Sequence, residues 1–565
     1  MAQLVLNDLD ENKAGDSIYQ DYLKWAEENV EAIYHYPLNI KSSSDGERAV
    51  YSEEKVNADT IVFSIPYEGL LSFKRVAGTP LEAMLTELSP LREEDILALL
   101  LLFEKDKGAE SQWSGHIELL PNEYHNVLYF TDEEVQDLQG SNLYIIAQKL
   151  KTQVVAEYEE FSSKTVPEGK TIAEKFLWFT LEAYKWALCT IWSRFVSIVC
   201  RGEQLKVMAP VFDMFNHDPG AAVMHGFQDL NNCLHIVTFQ DWTPGNEISI
   251  NYGPIPNSSL LQLYGFVILD NPFDSVKLWA TMSPDCPDFT IKKQVLDKNE
   301  IKDEPFLLTR GKLDPKLLGT LRVQRANDDE LASVHCAFEE PLSIRNESEV
   351  LDVLENAINS MLEGYCTSIE EDETIIKAWK EAGDNYMKDK SHQKMAVILR
   401  YGEKQILQTS LSKIQERRQC IGRVVVLISH AAVQRKMVGN IISKIESRGF
   451  KLCGLQTVSS DKMPEKHPFV EISQTTPSGP MLATLWDGKD CLAIIPDIIG
   501  CGDAHQMSPA SVNRALSVDS QQPICYASAD AESALVDSNK WFLEVDFPEI
   551  AEWKRHSQEW VEENV

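Results

Sequence analysis

No apolar stretch in this 565-residue chain is long enough to cross a bilayer. The most apolar run, Ile96 to Phe103 (ILALLLLF), has eight residues, against the roughly 20 that a hydrocarbon core requires. Positive charge is scarce: 53 Lys plus Arg stand against 87 Asp plus Glu, a net charge of −34. A protein that grips nucleic acid non-specifically needs clustered positive charge against phosphate, so that class is excluded. A large negative charge keeps a protein soluble and suits basic partners. The 11 cysteines are scattered, and no two form a C-x-x-C pair. An odd count without zinc-like spacing argues for reduced thiols in a cytosolic or nuclear protein, and against a cofactor metal. No dense Lys/Arg cluster is visible, which favours the cytosol. The start, MAQLVLNDLDENKAGD, is acidic and lacks the apolar or Arg-rich leader of a targeting peptide. There is neither a repeat of solenoid period nor a long Pro-, Gly- or Ser-rich linker.

What is present is globular in composition: 44% hydrophobic, 25% charged and 9% aromatic. The length predicts about three to five domains. From about 45 to 80, RAVYSEEKV, TIVFSIP and EGLLSF read as short strands with turns between them. From about 81 to 195 the apolar spacing is helical, in LREEDILALLLLFEK and in TIAEKFLWFTLEAYKWALCTIWSRFVSIV. Thr131 followed by DEEVQDL reads as a capped helix start. Strands return from about 205 to 270 in QLKVMAPVFDMF, LHIVTFQDW and EISINYG, and helices from about 283 to 415. Beyond Cys420 the texture alternates. GRVVVLIS and KLCGLQTV read as strands, and VGNIISKIESRG as an amphipathic helix ending on Gly449. This last block, of about 140 residues, is large enough for a domain of its own.

The densest polar cluster is APVFDMFNHDPG, residues 209–220. Asp213, Asn216 and His217 lack the ligand set and the i, i+4 histidine spacing of zinc hydrolases. A polar loop leaving a strand accounts for them equally well. Downstream, Tyr252 stands before Gly253 at a strand end, and Tyr264 before Gly265 after an apolar helical stretch. A lone buried tyrosine is usually core, with its hydroxyl satisfied by one partner.

Taken together, these segments resemble the SET-domain methyltransferase family, in the branch of Rubisco large-subunit lysine methyltransferase and actin-histidine methyltransferase. The resemblance rests on RAVYSEEKVNADTIVFSIPYEGLLS, SQWSGHIELLPNEYHNVLYFTDEEVQDLQG, KWALCTIWSR, PVFDMFNH, QDWTPGNEISINYG and LQLYGFVILDNPFD. It continues through LEGYCTSIEEDETII and MAVILRYGEKQIL, covering roughly residues 20–415 in family order. It implies a multidomain α+β chain. A β-rich SET domain would occupy 20–282, with a helical insert at about 81–190. An all-α substrate-binding domain would follow at 283–415.

The resemblance also implies a chemistry. S-adenosylmethionine binds on one face, the target side chain on the other, and a narrow channel joins them. Methyl transfer is an in-line displacement, which is mostly alignment plus a neutral nucleophile. Burial favours the neutral form of a lysine, and aromatic faces suit a sulfonium cation. By position, Asn216 and His217 would bind the cofactor and Asp213 would support their loop. Arg194, in WSR, matches the arginine near the cofactor's carboxylate, a group that arginine binds well. Tyr252 matches the tyrosine beside the transferred methyl, the implied catalytic residue. Phe266 and Tyr264 match aromatic wall positions, the latter lining the substrate channel with Val196 and Phe212. The cofactor pocket's N-terminal wall would be Asp45-Gly46-Glu47-Arg48, contributing Asp45 and Glu47. There Arg48 replaces a family glycine, which alters close backbone approach.

In the actin-histidine branch an asparagine follows the arginine by two positions and contacts the imidazole. Here that position is Val196, which cannot fix a tautomer, so a lysine target is expected, with histidine as the alternative. In the helical block, Glu370, Glu371 and Asp372 fall in the substrate-binding segment, and an acidic surface suits a basic protein substrate.

Residues 421–560 resemble nucleoside diphosphate kinase, a ferredoxin-like α/β domain, through GRVVVLISHAAVQRKMVGNIISKIESRGFKL, SGPMLATLWDG, ESALVDSNKWF and a final EW-containing segment. The kinase's histidine nucleophile falls on Tyr526 and its phosphate lysine on Ser429. Its phosphate arginines fall on Pro496 and Asn513, and the asparagine before the histidine on Pro523. Phe469 matches a base-stacking position. Losing nucleophile and cationic clamp together removes the covalent step and its charge stabilisation. The block reads as a pseudo-kinase module for homo-oligomerisation or partner docking. A non-catalytic scaffold with two degenerate enzyme folds is the alternative from another class.

Overall fold

The computed structural model describes residues 8–42, 48–381, 391–420, 423–459, 479–488, 490–500, 508–517 and 523–542. They fall into two compact units. One holds the chain up to 276 together with 361–406, and the other holds 277–360 and the chain from 407 on.

The first unit opens with the helix Asp8–Val30. Short strands follow: β1 (Ile33–Tyr34), β2 (Leu38–Ser42), β3 (Arg48–Ser52), β4 (Thr60–Pro66) and β5 (Leu71–Ser72). Helices then dominate, notably Glu93–Asp106, Asn142–Ser163 and Leu181–Arg194. The apolar run ILALLLLF lies in the first of these, with Leu97 to Leu101 all inaccessible to solvent. A helix apolar on every side must be buried, and this one packs on Leu181–Arg194. The capped start is present: Thr131 and Glu134 form a reciprocal capping box on Asp132–Gln136.

The helical spacing read through SRFVSIV stops at Arg194. Residues Phe195–Cys200 form β6, in which Val196, Ile198 and Cys200 are buried and Ser197 and Val199 exposed. Alternation and β-branching win there over the run of apolar residues. β7 (Glu203–Met208), β8 (Val223–Gln228) and β9 (Cys233–Thr238) complete the set. They form sheets of order β1-β4-β9-β8, β5-β7-β6 and β2-β3. β8 was not expected, because Gly226 and His225 give VMHGFQ a turn-like texture. EISINYG, expected as a strand, is instead held by single bridges. Glu247 lies opposite Tyr51, and Ile250 runs parallel to His217.

The second unit begins at a two-stranded ribbon, β10 (Val276–Leu278) with β11 (Phe306–Leu308). Its helices include Phe289–Lys298, Pro315–Arg325 and Ile344–Glu363. A buried Glu347 carboxylate accepts from Arg322 Nε at 2.7 Å and Arg417 Nε at 2.5 Å. Further on, β12 (Val424–Ile428), β13 (Lys451–Ser459), β14 (Pro480–Asp487) and β15 (Cys525–Ala527) make an antiparallel sheet of order β13-β14-β12-β15. The strands read from GRVVVLIS and KLCGLQTV are therefore present. All five residues of β12 are buried. Val424, Val426 and Ile428 join one apolar cluster, Val425 and Leu427 another, as expected of a central strand covered on both faces. The amphipathic helix is Val438–Glu446, and Gly449 follows it at φ 85°. No helix of the described residues is long and apolar enough to cross a membrane.

Candidate active site

The site is built around the turn that leaves β7. Val211 there has φ 67°, a left-handed conformation that a β-branched residue resists. Its N–H donates to the Tyr22 hydroxyl at 2.9 Å. The one-turn helix Phe212–Met214 follows and turns Asp213 inward. Arg194 Nη1 donates to Asp213 Oδ2 and to its backbone oxygen, each at 3.0 Å. From the other side His116 Nε2 approaches the same Oδ2 to 3.4 Å. Burial opposes ionisation of Asp213, but His116 and Arg194 outweigh it and hold its pKa at about 2. Burial likewise opposes the charge on Arg194, and the carboxylate of Asp213 leads the effects that raise its pKa. The pair is therefore a charged, buried ion pair.

Asn216 and His217 follow. The Asn216 amide donates to the Arg48 carbonyl at 2.7 Å and to Glu247 Oε1 at 2.9 Å. Its backbone oxygen accepts from Ile250 N–H, and Asp218 N–H donates back to the Ile250 carbonyl. His217 Nδ1 accepts from the Tyr252 N–H at 3.1 Å. Burial pushes the pKa of His217 down, so the ring is neutral at neutral pH and its proton lies on Nε2.

Aromatic rings stack on this imidazole. Tyr252 lies 4.9 Å from His217 at 22°, and Tyr264 lies 5.3 Å beyond Tyr252 at 29°. Phe266 meets Tyr264 edge-on at 6.0 Å. The Tyr252 hydroxyl donates to the Phe215 carbonyl at 2.8 Å, and burial raises its pKa, so it keeps its proton. Tyr264 ends a π-helical turn, Leu260–Tyr264, a local form found often at functional sites. The turn is closed by Gly265 at φ 77°, where a Cβ would lie 2.8 Å from the Asn126 nitrogen. Glycine is required there on both counts.

Of the residues anticipated from the sequence, the structure brings Arg194 and Asp213 into one ion pair. It brings His217, Tyr252, Tyr264 and Phe266 into one ring cluster, with Asn216 bonding across to β3. Val196 is buried in β6 opposite Val207. Phe212 is buried, with its ring edge-on to His225 at 5.2 Å. Asp45 and Glu47 lie outside the described residues. Arg48 lies in β3, and its Nη1 donates to the Leu119 carbonyl at 2.5 Å. Burial and the nearby Arg194 lower its pKa. Tyr22, His116 and the strained Val211 were not anticipated. Tyr22 and His116 lie 189 and 97 residues before the turn, counting 211 − 22 and 213 − 116; His116 falls within the quoted segment SQWSGHIELL, but nothing there pairs it with Asp213.

Four buried polar atoms here lack a hydrogen-bond partner: Arg194 Nε, Asp213 Oδ1, His217 Nε2 and His116 Nε2, the last meeting Asp213 Oδ2 only as a 3.4 Å ion-pair approach. Buried polar atoms are normally paired, so the cluster is suited to a polar ligand with both donors and acceptors. Among the described residues, no group of His, Cys, Asp and Glu is arranged to hold a metal ion.

In the last block, Tyr526 is buried in β15, within a cluster that includes Val425, Leu427 and Trp541. Ser429 Oγ caps the helix His430–Gln434 by accepting from Ala432 N–H. The buried Asn513 amide donates to the carbonyls of Gly500 and Cys525, and its oxygen accepts from Ile524 and Cys525 N–H. Pro496 sits inside the helix Cys491–Ile499, and Pro523 lies two residues before β15 begins at Cys525. Phe469 and the final EW segment lie outside the described residues.

Residues 283–407 match the Rubisco LSMT substrate-binding family, and residues 422–547 the nucleoside diphosphate kinase family. The chain is similar to the actin-histidine N-methyltransferase of Homo sapiens, at 27% identity over 72% of this chain and 69% of that protein. It is likewise similar to that of Xenopus tropicalis, at 25% identity over 72% and 71%. Among solved structures, the SET domain of LSMT bound to MeLysine and AdoHcy matches with TM-score 0.59 and 23% identity, over 71% of this chain and 92% of that one. The chain thus joins a SET-type fold, a Rubisco LSMT substrate-binding segment and a nucleoside diphosphate kinase segment.

Proposed function

We propose that this chain is an S-adenosylmethionine-dependent protein methyltransferase that modifies a lysine side chain. The observation that carries the reading is the trio of unpartnered buried atoms on Arg194, Asp213 and His217 beside the Tyr252 ring stack. Likeness to the actin-histidine N-methyltransferases and to LSMT structures bound to AdoMet supports the same cofactor. When bound, that cofactor supplies an electrophilic methyl group on a sulfonium.

The residues present fit such a group. Arg194 binds a carboxylate, and Asp213 keeps the guanidinium fixed and charged. His217 offers a donor at Nε2, and Asn216 holds the loop to β3. The faces of Tyr252, Tyr264 and Phe266 attract a cation. Burial in the same aromatic channel favours a neutral amine over an ammonium. Tyr252 keeps its hydrogen on the Phe215 carbonyl, so its oxygen lone pairs are free to orient an N–H of the target. Val196 offers an apolar wall, which suits an amine on an aliphatic stem and gives an imidazole no polar partner.

A histidine target is the second reading, favoured by the names of the curated relatives. Labelled S-adenosylmethionine with a cell extract separates the two, the labelled proteins being hydrolysed and their amino acids resolved. Methyl-lysine that falls sharply in Tyr252→Phe is the expected result. Methyl-histidine would keep the enzyme and overturn the reading of Val196. No label and no cofactor binding would make the chain a scaffold.

For residues 421–560 we propose a non-catalytic role in self-association or partner docking. Its support is that Tyr526, Ser429 and Asn513 now serve the fold.

A further inference from the structure

We infer that Tyr22 and His116 are positioning residues that orient the Arg194–Asp213 pair, making the N-terminal helix Asp8–Val30 part of the cofactor site. The inference rests on the methyltransferase reading.

The contacts are two hydrogen bonds and one ion-pair approach. The Tyr22 hydroxyl accepts the Val211 N–H at 2.9 Å and meets His116 Nδ1 at 2.8 Å, and it is the donor there when the neutral ring carries its proton on Nε2, the nitrogen beside the Asp213 carboxylate. His116 Nδ1 is then an acceptor, and the ring proton lies on Nε2. That nitrogen faces Asp213 Oδ2 at 3.4 Å, and the same oxygen accepts from Arg194 Nη1 at 3.0 Å. Together they connect a backbone N–H in the strained turn to the guanidinium, with the His116–Asp213 step an ion-pair approach rather than a hydrogen bond. Tyr22, His116 and Asp213 are almost wholly buried, so water does not substitute for any of them.

Packing holds the relay in place. The Tyr22 ring stacks on Trp25 at 5.6 Å and 14°, and lies 6.1 Å from the His116 ring at 26°. Gly115, beside His116, lies flush on Trp25: a Cβ there would come within 2.6 Å of the indole. The short helix carrying His116 is thereby pressed against the N-terminal helix. Two effects at the site follow. Tyr22 holds Val211 in its left-handed conformation, which aims Asp213 inward. His116 Nε2 lies against Oδ2, while Oδ1 and Arg194 Nε are left without partners.

The test titrates the purified full chain with S-adenosylmethionine by calorimetry, alongside transfer kinetics and thermal melts. Tyr22→Phe and His116→Leu are expected to weaken cofactor binding by about tenfold or more, the scale of one hydrogen bond to a charged group. His116→Gln keeps an N–H near the Nε2 position and is expected to recover most of that loss while melting no higher than His116→Leu. In all three, cofactor KM is expected to rise by a larger factor than kcat falls. Equal binding by His116→Gln and His116→Leu, or losses that track melting temperature alone, would overturn the relay and leave the methyltransferase reading intact. No binding by the wild-type chain would overturn both.

Discussion

Two regions of this molecule treat their buried polar side chains in opposite ways. Around Asp213, charged groups are collected at a cost, strain is held at Val211, and four buried polar atoms remain without a hydrogen-bond partner. In the last block, the Asn513 amide makes four bonds to nearby backbone, Ser429 caps a helix, and Tyr526 lies in an apolar cluster. The first region is arranged for something outside the chain, whereas the second has turned its polar groups to its own support. Likeness to an enzyme family therefore carries different weight at the two ends. In one, the matching residues leave buried polar atoms unpartnered. In the other, the residues at the matching positions bond to or pack within the block itself.

The contrast can be broken most directly at Asp213. Asp213→Ala leaves Arg194 buried without its counter-ion and is expected to cost about 3–5 kcal/mol of stability, read by urea unfolding, with cofactor binding lost as well. The next effect is on pH. With Asp213 at about 2 in the folded state and near 3.9 unfolded, the pair contributes about 2–3 kcal/mol, present above pH 4 and lost as pH falls through 2. Melts of the wild type should steepen over that acid window, and Asp213→Asn should flatten them. In the last block, Asn513→Ala strands buried backbone groups and is expected to cost about 1–3 kcal/mol, while methyl transfer per folded molecule stays at the wild-type level. Activity falling with Asn513→Ala would show that the two regions are not separable in this way. The smallest effect is expected of Tyr526→His. It should take no phosphate from γ-labelled ATP, because the side chains at 429, 496 and 513 supply no cationic clamp. A phosphohistidine signal would show that nucleotide chemistry survives there.

Much of the site was legible in the sequence because its words are short and local. Asn216 with His217, Tyr252 before Gly253 and Tyr264 before Gly265 could be read from neighbours. Arg194 was legible as part of WSR, but its partner was not, since nothing in the local spacing pairs it with Asp213. Tyr22 and His116 were illegible for a stronger reason. Tyr22 sits in a helical stretch where an apolar role explains it, nothing around His116 in SQWSGHIELL marks its partner, and only the fold brings them to the turn. Strand β6 was hidden because an apolar helix runs into it without a break in composition, and only the alternation from Val196 to Cys200 marks the change. In β8, Gly226 and His225 obscured a strand that the pairing with β9 alone defines. In contrast, β12 announced itself, since VVVLI has no other stable use than a doubly covered strand.

The bonds of Asn216 have a consequence for how this molecule is made. Its side chain needs Arg48 and Glu247, and its backbone needs Ile250. Those partners lie far apart along the chain, so the Asn216 loop cannot take shape until residues up to 252 have left the ribosome and the intervening helices have docked. Contacts of such long sequence separation form slowly. A chain cut short inside the helical insert would thus keep compact helices but no competent centre. In a refolding experiment, cofactor binding should return after helical signal does.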